Sequence, residues 1–326
     1  MGGNFAHYLI ERYPNVAVVV LDKLTYAGNR ISLQDLENNP RFSFVEGDIT
    51  DSKLVRSVIR ARKIDVIVSY AAETHVDRSI LEPRAFLETD VLGTFTLLEA
   101  VRSLGIKKFV QISTDEVFGS IPAGEFSETS PFEPNSPYAA SKAGGDLLCR
   151  AYHATYGVPV TVTHSCNVYG PYQYPEKLIP LFITNLTDGL KVPMYGDGSQ
   201  IREWIYVRDH CAAIDAIIER SKPGSVYNIG TRKRCTNLDL TKMLLKLCGK
   251  DESFIEHVED RPGHDTRYAI NPEKIERELG WRAETPFEQG LKQTVEWYQS
   301  HEEWWRPLKS GEYLDYYKKQ YKKALV

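Results

Sequence analysis

Two short stretches of this chain carry the residue types that proton transfer needs. Ser136-Pro137-Tyr138-Ala139-Ala140-Ser141-Lys142 reads as a proline-started helix with Tyr138 and Lys142 four residues apart. At that spacing both side chains share one helical face. A free phenol ionises near pH ~10. A neighbouring ammonium favours the phenolate and lowers that value, and an oxidised nicotinamide nearby would lower it further. Such a pair can take a proton from an alcohol or sugar hydroxyl while hydride leaves the same carbon. The second stretch, Val110 to Gly119, is an apolar run ending in Ser113, Thr114, Asp115 and Glu116. Two adjacent carboxyl groups at a strand end supply a general acid and a general base. Tyrosine–lysine neighbours and acidic turns are also ordinary surface features. Against that ordinary reading, Tyr138 alone among the 19 tyrosines has a lysine four residues on, and it follows the Ser113-Thr114 strand end.

These side chains need a scaffold, and the first half of the chain supplies one by alternation. The pattern predicts a helix over Phe5–Tyr13, a strand over Val16–Leu21, a strand over Phe42–Glu46 and a helix over Leu54–Arg62. A strand over Val66–Tyr70, a long helix over Pro83–Leu104 and a strand ending at Ile112 follow. Strands and helices alternating through short links imply an α/β, Rossmann-like, doubly wound parallel sheet. Ligands of such sheets sit beyond the carboxyl ends of the strands. Asp22, Asp48, Ala71 to Thr74 and Ser113 to Glu116 all fall at such ends. An acid closing the second strand of a dinucleotide fold accepts hydrogen bonds from the adenosine ribose. Gly2 precedes Asp22 by 20 residues, close to the spacing between a glycine loop and that acid. The sequence opens at the last glycine of such a loop, so the first strand and the rest of the loop are expected to be missing. Weakened dinucleotide retention and exposed apolar surface in the sheet centre are the expected consequences.

After the Tyr138 helix the pattern gives a strand over Val160–Thr163, a rigid loop over Asn167–Tyr172 and a turn over Val192–Gly198. A strand over Arg202–Tyr206, a helix from Asp209 to Arg220 and a return strand over Val226–Gly230 come next. Asn237 is placed as the cap of a helix to Leu247. Helices over Pro272–Leu279 and Pro286–His301 precede a Tyr/Lys-rich tail over Tyr313–Lys323, which reads as an amphipathic helix. Lys177, Arg202 and Arg267 are the cations of this half singled out as phosphate contacts, because forked donors match diphosphate oxygens. The expected division is a dinucleotide-binding domain of residues 1–166 with about 204–232, and a smaller substrate domain of 167–203 with about 233–326.

The bulk numbers remove other classes. The chain has 326 residues, 42% of them hydrophobic, a formal net charge of −4 and a pI near 6.1. Nothing there is a nucleic-acid footprint. No run of eighteen apolar residues suggests a membrane span, and no signal peptide is visible. The five cysteines form no CxxC pair and read as reduced thiols of a cytoplasmic protein. The eight histidines make no metal-ligand spacing with them, so no metal is expected.

Taken together the residues resemble the extended short-chain dehydrogenase/reductases, and within them the branch that dehydrates dTDP-glucose. The resemblance covers essentially the whole chain. It rests on Asp22 to Asn29, Ala71-Ala72-Glu73-Thr74-His75-Val76-Asp77-Arg78-Ser79, Ser113 to Gly119, and Tyr138 with Lys142. Tyr169 to Pro180 and Pro262 to Ala269 complete it. Thr114-Asp115-Glu116 is the discriminating part, since related epimerases and decarboxylases usually lack the middle acid. The resemblance implies NAD as cofactor, a nucleotide sugar (dTDP-glucose) as substrate, a homodimer through the Pro83 and Tyr138 helices, and a place in deoxysugar (rhamnose) biosynthesis. It implies catalytic roles for Thr114, Asp115, Glu116, Tyr138 and Lys142. It implies NAD contacts from Gly2, Asp22, Lys23, Leu24, Thr25, Asp48, Ile49, Tyr70, Ala71, Ala72, Thr74, Thr89, Tyr138, Lys142 and Val168. It implies a substrate lining of Thr74, Thr114, Asn167, Lys177, Leu178, Pro193, Tyr195, Arg202, Asn237, Arg267 and Tyr268. Two alternatives stay open: another nucleotide-sugar dehydratase, epimerase or decarboxylase, and a non-catalytic nucleotide-binding regulator.

Overall fold

The computed structural model describes residues 1–310 and 312–321. Its centre is a four-stranded parallel sheet in the order β3 (Val66–Ser69), β4 (Lys108–Thr114), β5 (Val160–Ser165) and β9 (Val226–Ile229). From Phe109 onward β4 is buried, as is all of β5. Helices cover both faces, as strands buried on both sides require. The Thr94–Leu104 helix packs between Ser52–Arg62 and Pro137–Tyr156 on one face, and Val207–Arg220 packs on β4 from the other. The return strand predicted after the second helix of the substrate half is β9, in register beside β5.

β1 (Val18–Asp22) and β2 (Phe42–Glu46) form a separate parallel pair, with Val20 opposite Phe44. Among the described residues β1 and β3 do not pair with each other. The sheet is therefore in two pieces, because residues 2–12 wind directly into a helix and supply no strand between them. Val66, Ile67 and Val68 of β3 are only partly buried, unlike their neighbours in β4.

The second half adds two small sheets. β6 (Asn167–Tyr169), β8 (Ile201–Tyr206) and β10 (Arg234–Thr236) form one, and β7 (Val192–Tyr195) pairs with β11 (Ile255–Val258) in the other. β8 is the strand expected over Arg202–Tyr206, while β6 and β7 fall where a loop and a turn are expected. The short length of β6 and β7 hides them from periodicity. The sheets matter because they carry Asn167, Tyr195 and Arg202. The cap of the Asn237–Leu247 helix is Thr236, whose hydroxyl accepts the Asp239 amide, one residue before the expected position. The tail helix runs over Glu312–Tyr321; positions 322–323 of the expected helix lie outside the described residues. A core of Tyr169, Ile183, Leu240, Leu291, Tyr298 and Trp305 belongs to the second half alone, whereas Ile270, Ile275, Leu279 and Trp281 join the core of the parallel sheet.

Candidate active site

β4 delivers the first group of side chains. It ends at Thr114, whose hydroxyl accepts the Glu116 amide at 3.3 Å and caps a short 3-10 turn, Asp115–Phe118. The turn closes at Gly119 with φ +75°, where a Cβ would sit 2.3 Å from the Glu133 carbonyl oxygen, so only glycine fits. Asp115 is thereby driven inward and is 3% exposed, with Oδ2 lacking any hydrogen-bond partner. Burial raises its carboxyl well above the usual range, and the negative Glu116 and Glu203 add to this more than Arg202 offsets. The surroundings of Asp115 thus favour its protonated form.

Glu116 meets a different environment. Burial raises it too, but the cations Arg261, Arg202 and Lys177 pull it back down. Tyr268 donates to Glu116 Oε2 at 3.4 Å and to Asp265 Oδ2 at 2.8 Å, beneath the Arg202 guanidinium at 4.1 Å from its ring centre. Two neighbouring carboxyls are therefore set apart, one raised by burial and by acidic neighbours and one facing three cations that oppose the rise. Perturbed groups of this kind mark functional sites.

Tyr138 and Lys142 lie on the Pro137–Tyr156 helix, capped by the Ser136 hydroxyl, and both are buried. The expectation that Lys142 holds the Tyr138 phenol low is corrected here. Burial raises that phenol well above its usual value, with the negative Glu116 and Asp90 adding to the rise; only the bond to Thr114 opposes it among the leading influences. The reason is geometric. Lys142 Nζ donates to the Ile112 carbonyl at 2.8 Å and lies 3.7 Å from Asp90 Oδ1.

The second half closes over this group. Lys177 Nζ donates to the Thr74 carbonyl. Arg202 is 5% exposed and donates to the carbonyls of Ile201 and Asp265 at 2.9 and 2.8 Å. Leu178 opens the next helix, and Pro193 sits on β7 two residues before Tyr195. Tyr195 donates to Asp77 Oδ2 at 2.9 Å. Asn167 and Asn237 each keep a buried carbonyl oxygen with no partner, an arrangement that buried polar groups rarely tolerate without a ligand. Arg267 goes elsewhere: its guanidinium donates to the carbonyls of Ile121 and Gly124 and latches that loop. The cation that faces Glu116 from this segment is Arg261, which pairs with buried Asp77 at 3.1 Å. Sequence reasoning missed it, although Arg261 stands directly before the quoted Pro262-Gly263-His264 motif. It also missed that the tail helix reaches this group: its Tyr316 hydroxyl meets His75 Nδ1 at 3.2 Å and its Gln320 donates to Tyr195 at 2.9 Å.

The opposite side of the cleft fits a dinucleotide. Asp22 ends β1 with an exposed carboxylate whose Oδ1 accepts the Leu24 amide at 2.7 Å, and Leu24 takes φ 52°. Lys23 pairs with Asp48 at 2.6 Å, the Gly28 amide bonds the Thr25 carbonyl at 2.8 Å, and Ile49 is buried behind them. Small Ala71 and Ala72 follow β3, next to Tyr70, whose hydroxyl is buried without a partner. The Gly2–Arg12 helix has no side chain capping its first amides, leaving them for an anion. A Cβ on Gly2 would meet Tyr70 Cβ at 3.3 Å, which keeps that helix start close to the β3 end. Thr89 is partly buried on the Leu87–Gly93 turn, and Val168 lies on β6 beside Asn167.

A parallel sheet with this tyrosine, lysine and acidic turn at its carboxyl edge defines an extended short-chain dehydrogenase/reductase. Within that class the chain belongs to the family described as GDP-mannose 4,6 dehydratase, whose family model matches residues 1–294. It is 51% identical over 293 residues to a dTDP-glucose 4,6-dehydratase of Streptomyces niveus, spanning 90% of this chain and 87% of that protein. Its fold matches that of a dTDP-glucose 4,6-dehydratase of Streptomyces venezuelae solved with NAD bound, at TM-score 0.92 and 51% identity, covering 94% and 96% of the two chains. A UDP-glucose 4-epimerase of Thermotoga maritima is more distant, at TM-score 0.85 and 29% identity over 92% and 95%.

Proposed function

We propose that this chain converts dTDP-glucose to dTDP-4-keto-6-deoxy-glucose with bound NAD, by oxidation at C4, loss of water across C5 and C6, and reduction at C6. The observation that carries the reading is the pair of unlike carboxyls, Asp115 buried beside acidic neighbours that raise it further, and Glu116 facing Arg261, Arg202 and Lys177. Elimination of water needs a base at C5 and an acid at the C6 hydroxyl, and two unlike carboxyls side by side can supply both at once. Asp22, Lys23, Leu24, Thr25, Asp48, Ala71 and Ala72 would hold the NAD adenosine side, and Thr89, Tyr138, Lys142 and Val168 its nicotinamide side. NAD, when bound, accepts the C4 hydride and later returns it to C6.

Tyr138 takes the C4 hydroxyl proton, with Thr114 hydrogen-bonded at the same oxygen. The C4 ketone acidifies the C5 proton, which Glu116 removes. Asp115 gives its proton to the C6 hydroxyl, and water leaves. Glu116 then returns a proton to C5 as C6 is reduced. Arg202, Arg261 and Lys177 orient the diphosphate by charge and forked donors, and Asn167 and Asn237 offer their free acceptors to the nucleotide sugar. We assign residues 1–166 with about 204–232 to NAD and 167–203 with about 233–326 to the sugar nucleotide, except that Ile270–Trp281 packs with the first unit.

We also propose a homodimer. Leu87 and Leu92 on the Leu87–Gly93 turn, Phe95 on the Thr94–Leu104 helix, and Leu147 and Tyr156 on the Pro137–Tyr156 helix are large apolar residues left exposed, on elements that pack side by side. A second copy would cover them. The test of activity is turnover of dTDP-glucose, with and without added NAD, read as the alkaline absorbance of the 4-keto-6-deoxy product. Product formation supports the reading. Product from UDP- or GDP-sugars alone would replace the substrate, and no product from any of them would overturn it.

A further inference from the structure

The stretch read as one long helix over Pro83–Leu104 does not wind evenly. Pro83–Phe86 is α-helical, Leu87–Gly93 is a π-turn, and Thr94–Leu104 resumes the α-helix. Such wide turns inside α-helices are rare and recur at functional positions. Here the turn presents Asp90 to the Pro137–Tyr156 helix, where it is 1% exposed. The two elements nearly touch. A Cβ on Gly145 would come within 2.7 Å of the Asp90 carbonyl oxygen, and one on Gly144 within 3.0 Å of Val91. At this crossing Asp90 Oδ2 accepts the Ser141 hydroxyl at 2.7 Å. Asp90 Oδ1 has no hydrogen-bond partner and faces Lys142 Nζ at 3.7 Å. The ammonium is thus suspended between Asp90 and the Ile112 carbonyl at the end of β4, one helical turn from Tyr138.

The proposed chemistry has no proton for Asp90 to move. A buried carboxylate is costly to keep unless it acts on a charge nearby. We propose that Asp90 is a positioning residue, which fixes the Lys142 ammonium and sets the proton affinity of Tyr138 for the first, proton-abstracting step. The inference rests on Tyr138 being the C4 base.

The charges around it act in known directions. Lys142 draws the Asp90 carboxyl down, Asp146 on the same helix pushes it up, and burial outweighs both, leaving it at about 6. It is therefore mostly ionised at neutral pH. In that state it raises the Tyr138 phenol, as Glu116 does from the β4 turn, and it raises Glu73 beyond β3. Removing the Asp90 charge leaves Lys142 unopposed, and the phenolate becomes easier to form.

The test is Asp90→Asn, which keeps the shape and can still accept from Ser141. Two readouts separate this proposal from the assigned reaction. In single turnover with dTDP-glucose, the acid limb of the pH profile for NADH formation should move down by about one pH unit. Tyrosinate difference absorbance needs no turnover. Subtracting the matching Tyr138→Phe titration isolates the Tyr138 transition, which should fall in Asp90→Asn by a similar amount. If the parent fails to reduce NAD with dTDP-glucose, the assigned reaction fails while the tyrosinate titration still decides the role of Asp90. A Tyr138 transition that stays in place or rises would overturn the proposal, since a purely structural Asp90 leaves it unmoved. Should Asp90→Asn not fold, Asp90→Ser replaces it. It removes the same charge, so the Tyr138 transition should fall by a similar amount; an unmoved transition overturns the proposal here too.

Discussion

Replacing Asp115 by Asn separates the two halves of the proposed reaction. Asp115 lies behind the Gly119 turn, 3% exposed, and burial and its acidic neighbours Glu116 and Glu203 raise its carboxyl and favour the protonated form. Asn has nearly the same volume and can keep the weak 3.4 Å contact with the Thr114 hydroxyl as acceptor. What it lacks is a transferable proton. A positioned general acid contributes about 10²–10⁴-fold to a rate, or about 2.7–5.5 kcal/mol of barrier at 1.36 kcal/mol per decade. That loss should fall on water elimination alone. Tyr138, Thr114 and Lys142 are untouched, so C4 oxidation should still proceed. Mixing the NAD-loaded variant with dTDP-glucose should therefore give a burst of NADH absorbance close to the parental amplitude, which then persists. The 4-keto-6-deoxy product should appear about 10²–10⁴ times more slowly than in the parent. Product formed at the parental rate would refute the acid role. A lost burst together with lost product would refute the division of labour, because it would place Asp115 in the first step.

Three further outcomes are expected. Arg261→Lys should raise KM for dTDP-glucose by about 10- to 100-fold by losing forked donors to the diphosphate, whereas Arg267→Lys should leave KM within about twofold because Arg267 binds loop carbonyls; equal effects in steady-state assays would undo the placement. Burial raises the Asp90 carboxyl from 3.8 to about 6. Its contribution to stability is therefore fully present below pH ~4 and lost as pH rises through ~6, by about 3 kcal/mol. Asp90→Asn escapes that loss, so its melting temperature relative to the parent should climb between pH 4.5 and 7.5, and a constant difference would contradict the assignment. Leu92→Glu combined with Phe95→Glu should give a folded monomer by light scattering if a second copy covers that face; an unchanged mass would point to another interface.

Much of the site was readable because its chemistry is local in sequence. Thr114, Asp115 and Glu116 are adjacent, and Tyr138 and Lys142 are one helical turn apart, so composition and period place them without knowledge of the fold. The alternation of strands and helices likewise fixed β2, β4 and β9 to within a residue or two. What escaped the reading depends on meetings between distant segments. Arg261 matters because it reaches Asp77 and Glu116, and no spacing within Arg261–Ala269 distinguishes it from Arg267. β6, β7, β10 and β11 are three or four residues long and exist only through partners far along the chain. The direction of the Tyr138 shift was misjudged for a related reason: Tyr–Lys spacing reports a shared face, but not burial, nor that Lys142 is engaged by Ile112 and Asp90.

The Leu87–Gly93 turn shows how a functional device can hide inside a correct assignment. A π-turn inserts one residue into a helix and leaves the surrounding apolar period nearly intact, so Asp90 reads as an ordinary polar position of an amphipathic helix. The signal was on the other helix. Gly144-Gly145 lies in the interior of Pro137–Tyr156, where each glycine costs about 1 kcal/mol relative to alanine. A pair of them two residues after Lys142 is tolerated because the Asp90 backbone and the Val91 side chain approach there. The close approach in turn brings an acid to the lysine one helical turn from Tyr138. Helix-breaking residues where a helix must persist therefore mark, in this sequence, the point where the two elements cross and where Asp90 is proposed to act on the charge around Tyr138.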